Sequence, residues 1–496
     1  MSGAIGQNFL RHIVANIEDS VPRLVFADWL DEQNQPDRAE FIRVQVERAR
    51  LPAWDRAQVR LRLREQRLLA HYSEKWLAEF PTIDGAKWEG FRRGVVAEVA
   101  FASFEAMRAH AHECRAVAPV EAITVRWPRE REPRTGGPPI AELRELVLTG
   151  RPSNETEVAR LAESPQLATL QSLTIHHIWP AGLARLLASP HLSGLKSLRL
   201  PLNTLGNIGL RDLTRARTLT HLESLDLSAR HAAGRYHDGP AMRADGIEAL
   251  ANWPALATVR TLRLDGNEIG RDGLRALARS RYTAGLKELY LPSSRIEGHM
   301  LAELREAAPT LRLDVFNLSE NMLRVVGCEY LATLPCFREL KDLHIGRCEI
   351  RLDEMQLLAR KAAFLEQLQV LNVDDNYLRA AGLRALLEKR PVLHTLSIFN
   401  NDLGLEGLRH LTESEATNQL WYLDIGFNEL NDQAADLLGT TAHLQNLVHL
   451  RAFDNGFTTA AVRQLRASPL GQRLQQLEVR DWPPANLPAD SDDIPF

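Results

Sequence analysis

The phrase Leu-x-x-Leu-x-Leu recurs down most of this chain, starting at Leu143, Leu170, Leu195, Leu222, Val259, Leu286, Leu313, Leu340, Leu368, Leu393, Leu420, Leu447 and Leu474. The intervals run from 25 to 28 residues, with one of 37. A unit of that length cannot bury its apolar face alone, so it must stack on copies of itself. The fine pattern predicts how. In Leu262-Arg263-Leu264-Asp265, alternation sends the leucines inward and Arg263 and Asp265 to the opposite, concave face of a short strand. Asn267 then turns the chain by offering its amide to backbone groups left open where the strand ends. Asn203, Asn321, Asn376, Asn401, Asn428 and Asn455 take the same place, with Cys348 and Ser294 as small polar substitutes. Stretches such as Gly273–Ala278 and Gly382–Leu387 follow, with leucines three apart on one face and Arg or Glu on the other.

These units resemble leucine-rich repeats of the long, ribonuclease-inhibitor-like class. The resemblance implies an α/β solenoid, a curved horseshoe with a parallel inner sheet and outer helices. Two weaker copies, Val96–Phe101 and Val120–Val125, bring the expected strands to fifteen and suit an end of the array. A solenoid offers an extended surface instead of one deep pocket, which points to binding.

Residues 1–90 do not repeat. Phe9, Leu10, Ile13 and Ile17 mark a first helix, Ser20 and Pro22 open a second through Phe26 and Trp29, and Pro36 and Asp37 open a third through Phe41 and Ile42. The strings Arg23-Leu24-Val25-Phe26-Ala27-Asp28-Trp29-Leu30 and Ala39-Glu40-Phe41-Ile42-Arg43-Val44-Gln45 resemble the bacterial repeat-companion domain, a small helical module found ahead of repeats. That family implies no catalytic residues. The expected organisation is a helical domain and N-terminal cap at 1–90, the solenoid at 91–482 and a disordered acidic tail at 483–496. Residues 128–139 read as a charged, Pro/Gly-rich loop, and the 37-residue interval carries an insertion at 228–243, a candidate contact or cleavage site.

A net charge of -4 from 60 basic and 64 acidic residues gives no global field for nucleic acid or an anionic membrane. Four cysteines without a Cys-x-x-Cys pair suit reduced thiols. Neither a secretory h-region nor an apolar stretch of about 18 residues is present, which places the protein in the cytoplasm. Phosphate-loop, His-Glu-x-x-His and Gly-x-Ser-x-Gly motifs are absent. His110 and His112 in His110-Ala111-His112-Glu113-Cys114 diverge on a helix and make a poor metal pair. No enzyme activity, cofactor or metal is therefore expected. Arg56, Arg60, Arg64 and Arg67 share a helix face and read as solvated.

The informative surface is the concave one. Its seventh repeat positions read Asp265, Pro292, Ser319, Gly346, Asp374, Phe399, Gly426, Phe453 and Arg480. With strands ~4.8 Å apart, Phe399 and Phe453 would stand about 10 Å apart across the bare Gly426, leaving a slot. Tyr422, Phe427 and Trp482 lie nearby, and Asp374, Asp375, Asp424 and Asp454 would supply a negative rim. Solvent-facing strand positions have no structural need for such rings, so these nine residues form the candidate partner site. Arg199, Arg263, Tyr290, His344 and Arg347 make a mixed basic stripe in the middle of the sheet. The expected function is non-enzymatic recognition or scaffolding of another protein. Regulation of an enzyme, as inhibitor or GTPase activator, and a place in a bacterial defence or signalling assembly, including as a protease target, are the alternatives.

Overall fold

The computed structural model describes residues 4–127, 143–152, 155–201, 203, 205–229, 241–307 and 311–480. The loop at 128–139, residues 230–240 of the insertion, Trp482 and the 483–496 tail lie outside the described residues. Among the described residues, sixteen strands follow one another in chain order in one sheet, and helices alternate with them. The fold is an α/β leucine-rich repeat solenoid preceded by helices.

Two compact units divide the chain, Met1–Ala53 with Leu61–Glu288 and Trp54–Arg60 with Leu289–Phe496. In the first, Leu198, Leu225 and Leu262 lie in register on parallel strands. In the second, the line runs Phe316, Leu343, Leu371, Leu396, Leu423, Leu450 and Leu477. All but Leu477 are buried. Each of these strands is only three residues long, so alternation supplies one inward apolar side chain per strand, a leucine everywhere but Phe316. The helices add a second apolar stripe: in Gly270–Arg279 the residues Gly273, Leu274, Leu277 and Ala278 are buried while Arg271 and Asp272 are exposed. A fully buried leucine contributes about 1.5–3 kcal/mol. Where helical segments approach most closely the sequence has glycine. A Cβ on Gly298 would meet the Leu323 carbonyl oxygen at 2.1 Å and the Gly327 Cα at 2.7 Å.

The turn asparagines form a ladder. In the second unit Asn428 Nδ2 donates to the carbonyls of Ile398 (2.8 Å) and Gly426 (2.9 Å). Its Oδ1 accepts from Asn401 N at 2.9 Å and Leu403 N at 3.4 Å. Asn428 N donates in turn to Asn455 Oδ1 at 2.9 Å. The substitutes behave as their chemistry allows: the Cys348 thiol donates to Leu318 O at 3.2 Å, and the Ser294 hydroxyl donates to Pro292 O at 3.2 Å.

The leading helices are α1 (Ala4–Ala15), α2 (Val21–Glu32), α3 (Pro36–Arg50) and α4 (Ala57–Ala78). Ile13, Phe26, Leu30, Ile42 and Val46 pack together with Val95. Strand β1 (Ala86–Arg92), for which the sequence has no repeat signature, pairs antiparallel with β2 (Val95–Phe101), and β2 pairs parallel with β3 (Ala122–Arg126). Gly94 turns the hairpin at φ 86 and donates its N–H to Gln45 Oε1 at 2.6 Å. A Cβ there would stand 2.2 Å from the Ile42 Cα. Arg23, fully buried, donates to Ile17 O, Asp19 O and Glu121 Oε1, and Arg93 holds the other Glu121 oxygen at 2.9 Å. Arg43 pairs with Asp28 and Asp31. The two N-terminal strings are thus spent on packing and pairing inside this unit: Phe26, Leu30, Phe41 and Ile42 as core, the charged residues and Gln45 as ties. Arg64 of the arginine face pairs with Glu40.

In the second unit, the His394 Nε2–H donates to the Trp54 carbonyl at 2.6 Å, and Arg56 lies over the Trp421 ring at 5.7 Å. Among the described residues no helix is long and apolar enough to cross a membrane.

Asn428→Ala strands the Ile398 carbonyl and the amides of Asn401 and Leu403, while the Gly426 carbonyl keeps Asn400 N, and urea unfolding should show a loss of about 3 kcal/mol. Asn428→Cys, which restores one donor, should lose clearly less; equal losses would contradict the ladder's energetic role. Gly94→Ala combines positive φ with a backbone collision and should cost about 3 kcal/mol or more by the same measurement.

Candidate binding site on the second unit

Strands Thr395–Ser397, Tyr422–Asp424 and His449–Arg451 pair in parallel with Ser397, Asp424 and Arg451 level. Two residues on, Phe399, Gly426 and Phe453 stand in line. The open slot expected between the two rings is not there. Their centroids are 5.7 Å apart at 30°, and a Cβ on Gly426 would meet Phe399 Cδ2 at 2.9 Å. Backbone spacing alone suggested a gap, but flexible rings beside a bare glycine lean over it and stack, gaining dispersion and excluding water.

Phe427 extends the cluster, its centroid 6.0 Å from that of Phe399. It belongs to a row fixed by the ladder. In the second unit the residue before each ladder group, namely Ser293, Glu320, Arg347, Asp375, Asn400, Phe427 and Asp454, has φ between 52 and 60. Left-handed backbone suits polar residues that bond locally and disfavours bulky ones. Phe427 is the large apolar member of this row, and it is 54% exposed.

The four aspartates differ sharply in what they do. Asp374 is consumed by the fold, accepting from Ser397 Oγ (2.6 Å), Phe399 N (2.9 Å) and Asn372 Nδ2 (2.6 Å). Asp375 accepts from Arg347 Nε at 2.9 Å and Asn400 Nδ2 at 2.7 Å. Asp424 is buried, accepting from Gly426 N at 2.9 Å and Arg451 Nη1 at 2.7 Å, and burial pushes its carboxyl above the usual range. Asp454 is exposed. Tyr422 sits apart from the rings in a polar cluster, its hydroxyl accepting from Arg451 at 3.2 Å and its pKa pushed up to about 12, chiefly by burial. Trp482 lies outside the described residues.

Arg451 is the hub that the sequence reading missed. It donates to Asp424, Tyr422 and Glu478, whose other oxygen meets His449 Nε2 at 2.9 Å, and its guanidinium lies over the Phe453 ring at 4.6 Å. The signal was present across the repeats, where Asp424, Arg451 and Glu478 fall level, but not along any one of them. The basic stripe is likewise neutralised locally. Arg199 meets Asp226, Arg263 meets Asp265, His344 meets Asp342 and Arg347 meets Asp375.

Cys114, Cys328, Cys336 and Cys348 are free and buried. Burial pushes Cys114 up to about 11 and Cys336 and Cys348 up to about 12, so none is a reactive thiolate near neutrality. No group of three or more His, Cys, Asp or Glu able to hold a metal ion occurs among the described residues. His110 is engaged by Glu113 at 2.8 Å.

No protein-family model matches the chain. Among solved structures, an internalin (inlF) from Listeria monocytogenes is similar at 19% identity, covering 68% of this chain and 80% of that chain with a TM-score of 0.38. A superposition at that level carries no argument about function, and the repeat fold stands on the strand register above.

Arg451→Met leaves Asp424 and Glu478 facing each other without their shared cation. Thermal or urea unfolding should show a loss of about 2–3 kcal/mol, the low end of a buried-pair loss because Arg451 is partly solvated. Adding Asp424→Asn should recover part of it, and strictly additive losses would contradict the network.

Proposed function

We propose that this chain is a non-enzymatic recognition protein that binds a partner protein on the aromatic cluster of its second unit, with Phe427 as anchor and Phe399 and Phe453 as its floor. One observation carries the reading. A phenylalanine occupies a left-handed position that the other repeats of the second unit give to polar residues, and it holds more than half of its surface in water. The core has no use for it, since the buried rings Phe316, Phe337 and Phe364 already form their own spine at 5.3 and 5.1 Å. Large aromatic side chains set on rigid backbone are what binding hot spots are made of. Asp375, Asp424 and Tyr422 then act from behind, fixing the frame, and Asp454 borders the contact. Within this reading the repeats are of the ribonuclease-inhibitor-like class, the helices α1–α4 are a repeat-companion module that caps the array, and the unpaired cysteines suit a reducing cytoplasm.

Phe427→Asn separates binding from folding. Asn suits the left-handed turn, so relief of strain should offset lost ring packing and leave stability within about 1 kcal/mol of the parent. Affinity capture from native extract, with quantitative mass spectrometry and a thermal melt of each variant, should show at least one protein retained by the parent and depleted tenfold by Phe427→Asn. Unchanged capture, or a fold several kcal/mol weaker, would make the ring structural.

A further inference from the structure

The second unit carries two exposed aromatic side chains just beyond its strands, Tyr377 at 60% and Phe427 at 54%. Both stand among carboxylates. Asp375 and Asp402 are answered by the chain's own arginines, Arg347 at 2.9 Å and Arg379 at 3.2 Å. Glu429 and Asp454 are exposed and have no partner among the described residues. These two flank Phe427. Glu429 lies two residues on in the same turn, and Asp454 holds the matching position of the next repeat, where Phe427 N donates to the adjacent Phe453 O at 3.1 Å. Backbone φ is 52 at Phe427, 56 at Glu429 and 52 at Asp454, so the three are set by the repeat geometry instead of by free loops.

The neighbouring ring shows what such an arrangement accepts. Over Phe453 lies Arg451, its guanidinium 4.6 Å from the centroid and tied to Asp424 and Glu478. An aromatic face, a planar cation and two carboxylates make one complete unit there. Phe427, Glu429 and Asp454 repeat the ring and the two carboxylates without the cation. Arg480, also exposed, stands level with Phe453 on the following repeat.

We infer that Phe427, Glu429 and Asp454 form a docking surface for an arginine-bearing segment of a partner protein, the guanidinium stacking on the ring and pairing with the two carboxylates. The inference rests on the proposed binding role of the aromatic cluster and names the chemistry of the occupant. Arginine fits better than lysine because its planar fork lies flat on a ring and meets two carboxylates at once, whereas ammonium is a hydrated point charge.

The test uses the full chain and three fluorescein-labelled peptides of the form Gly-X-Gly-X-Gly-X-Gly, with X as Arg, Lys or Glu, followed by anisotropy at 50 and 300 mM salt. The arginine peptide should bind at least threefold tighter than the lysine one, the glutamate peptide should not bind, and high salt should weaken binding several-fold. Phe427→Asn and the double variant Glu429→Gln/Asp454→Asn should each weaken the arginine peptide at least fivefold. Asp245→Asn/Asp272→Asn, which removes two exposed carboxylates from the first unit, should leave it unchanged. Equal binding of all three peptides, or equal effects of the two carboxylate double variants, would overturn the inference as nonspecific charge attraction. If peptide binding ignores Phe427 while capture of a protein from extract still depends on it, the aromatic cluster binds a partner of another chemistry and only the arginine assignment falls.

Discussion

The structure depends on an amide that bonds in three directions at once. Asn428 and Asn455 each cap their own turn, satisfy a carbonyl of the preceding repeat and receive the backbone N–H of the preceding ladder residue. A turn that faces the core would otherwise leave several buried polar groups unpaired in every repeat, each costing about 1–3 kcal/mol. Because the ladder fixes the turn, it also fixes the left-handed residue beside it, and this constraint reaches the surface. The backbone that presents Phe427 is held by the same bonds that hold the core.

The repeat architecture was legible because its causes are periodic. Leucine spacing sets the strand register, and Asn, Cys and Ser at one recurrent position set the turns. Strand β1 was not legible, since it is a single antiparallel strand whose place depends on Phe41 packing against Phe91 and on Gly94 lying against Ile42. Those contacts join residues about fifty positions apart and leave no local pattern. The strings at Arg23 and Phe41 stood out in the sequence, and their physical content proved to be core packing and ion pairing.

The candidate site was legible as a set of residues but not as a geometry. Sequence placed Phe399, Phe427 and Phe453 near one another, yet could not foresee that two of the rings would close over Gly426. It also read four aspartates as one acidic rim. Side chains that look alike in sequence divide by environment: Asp374 and Asp424 are spent inside the fold, Asp375 is paired at its edge, and Asp454 faces water. Arg451 escaped notice because its partners come from three different repeats, and only the pairing across strands makes them neighbours.

The central claim is that the exposed ring at position 427 touches a partner protein. Replacing Phe427 by photoreactive benzoylphenylalanine in the producing cells, and Val392, another exposed apolar residue of the same unit, in parallel, tests it directly. Irradiation should yield a discrete higher-mass adduct with one partner protein from position 427 and none from position 392. Matching adduct patterns from both positions, or no adduct from 427 in a correctly folded chain, would contradict the account.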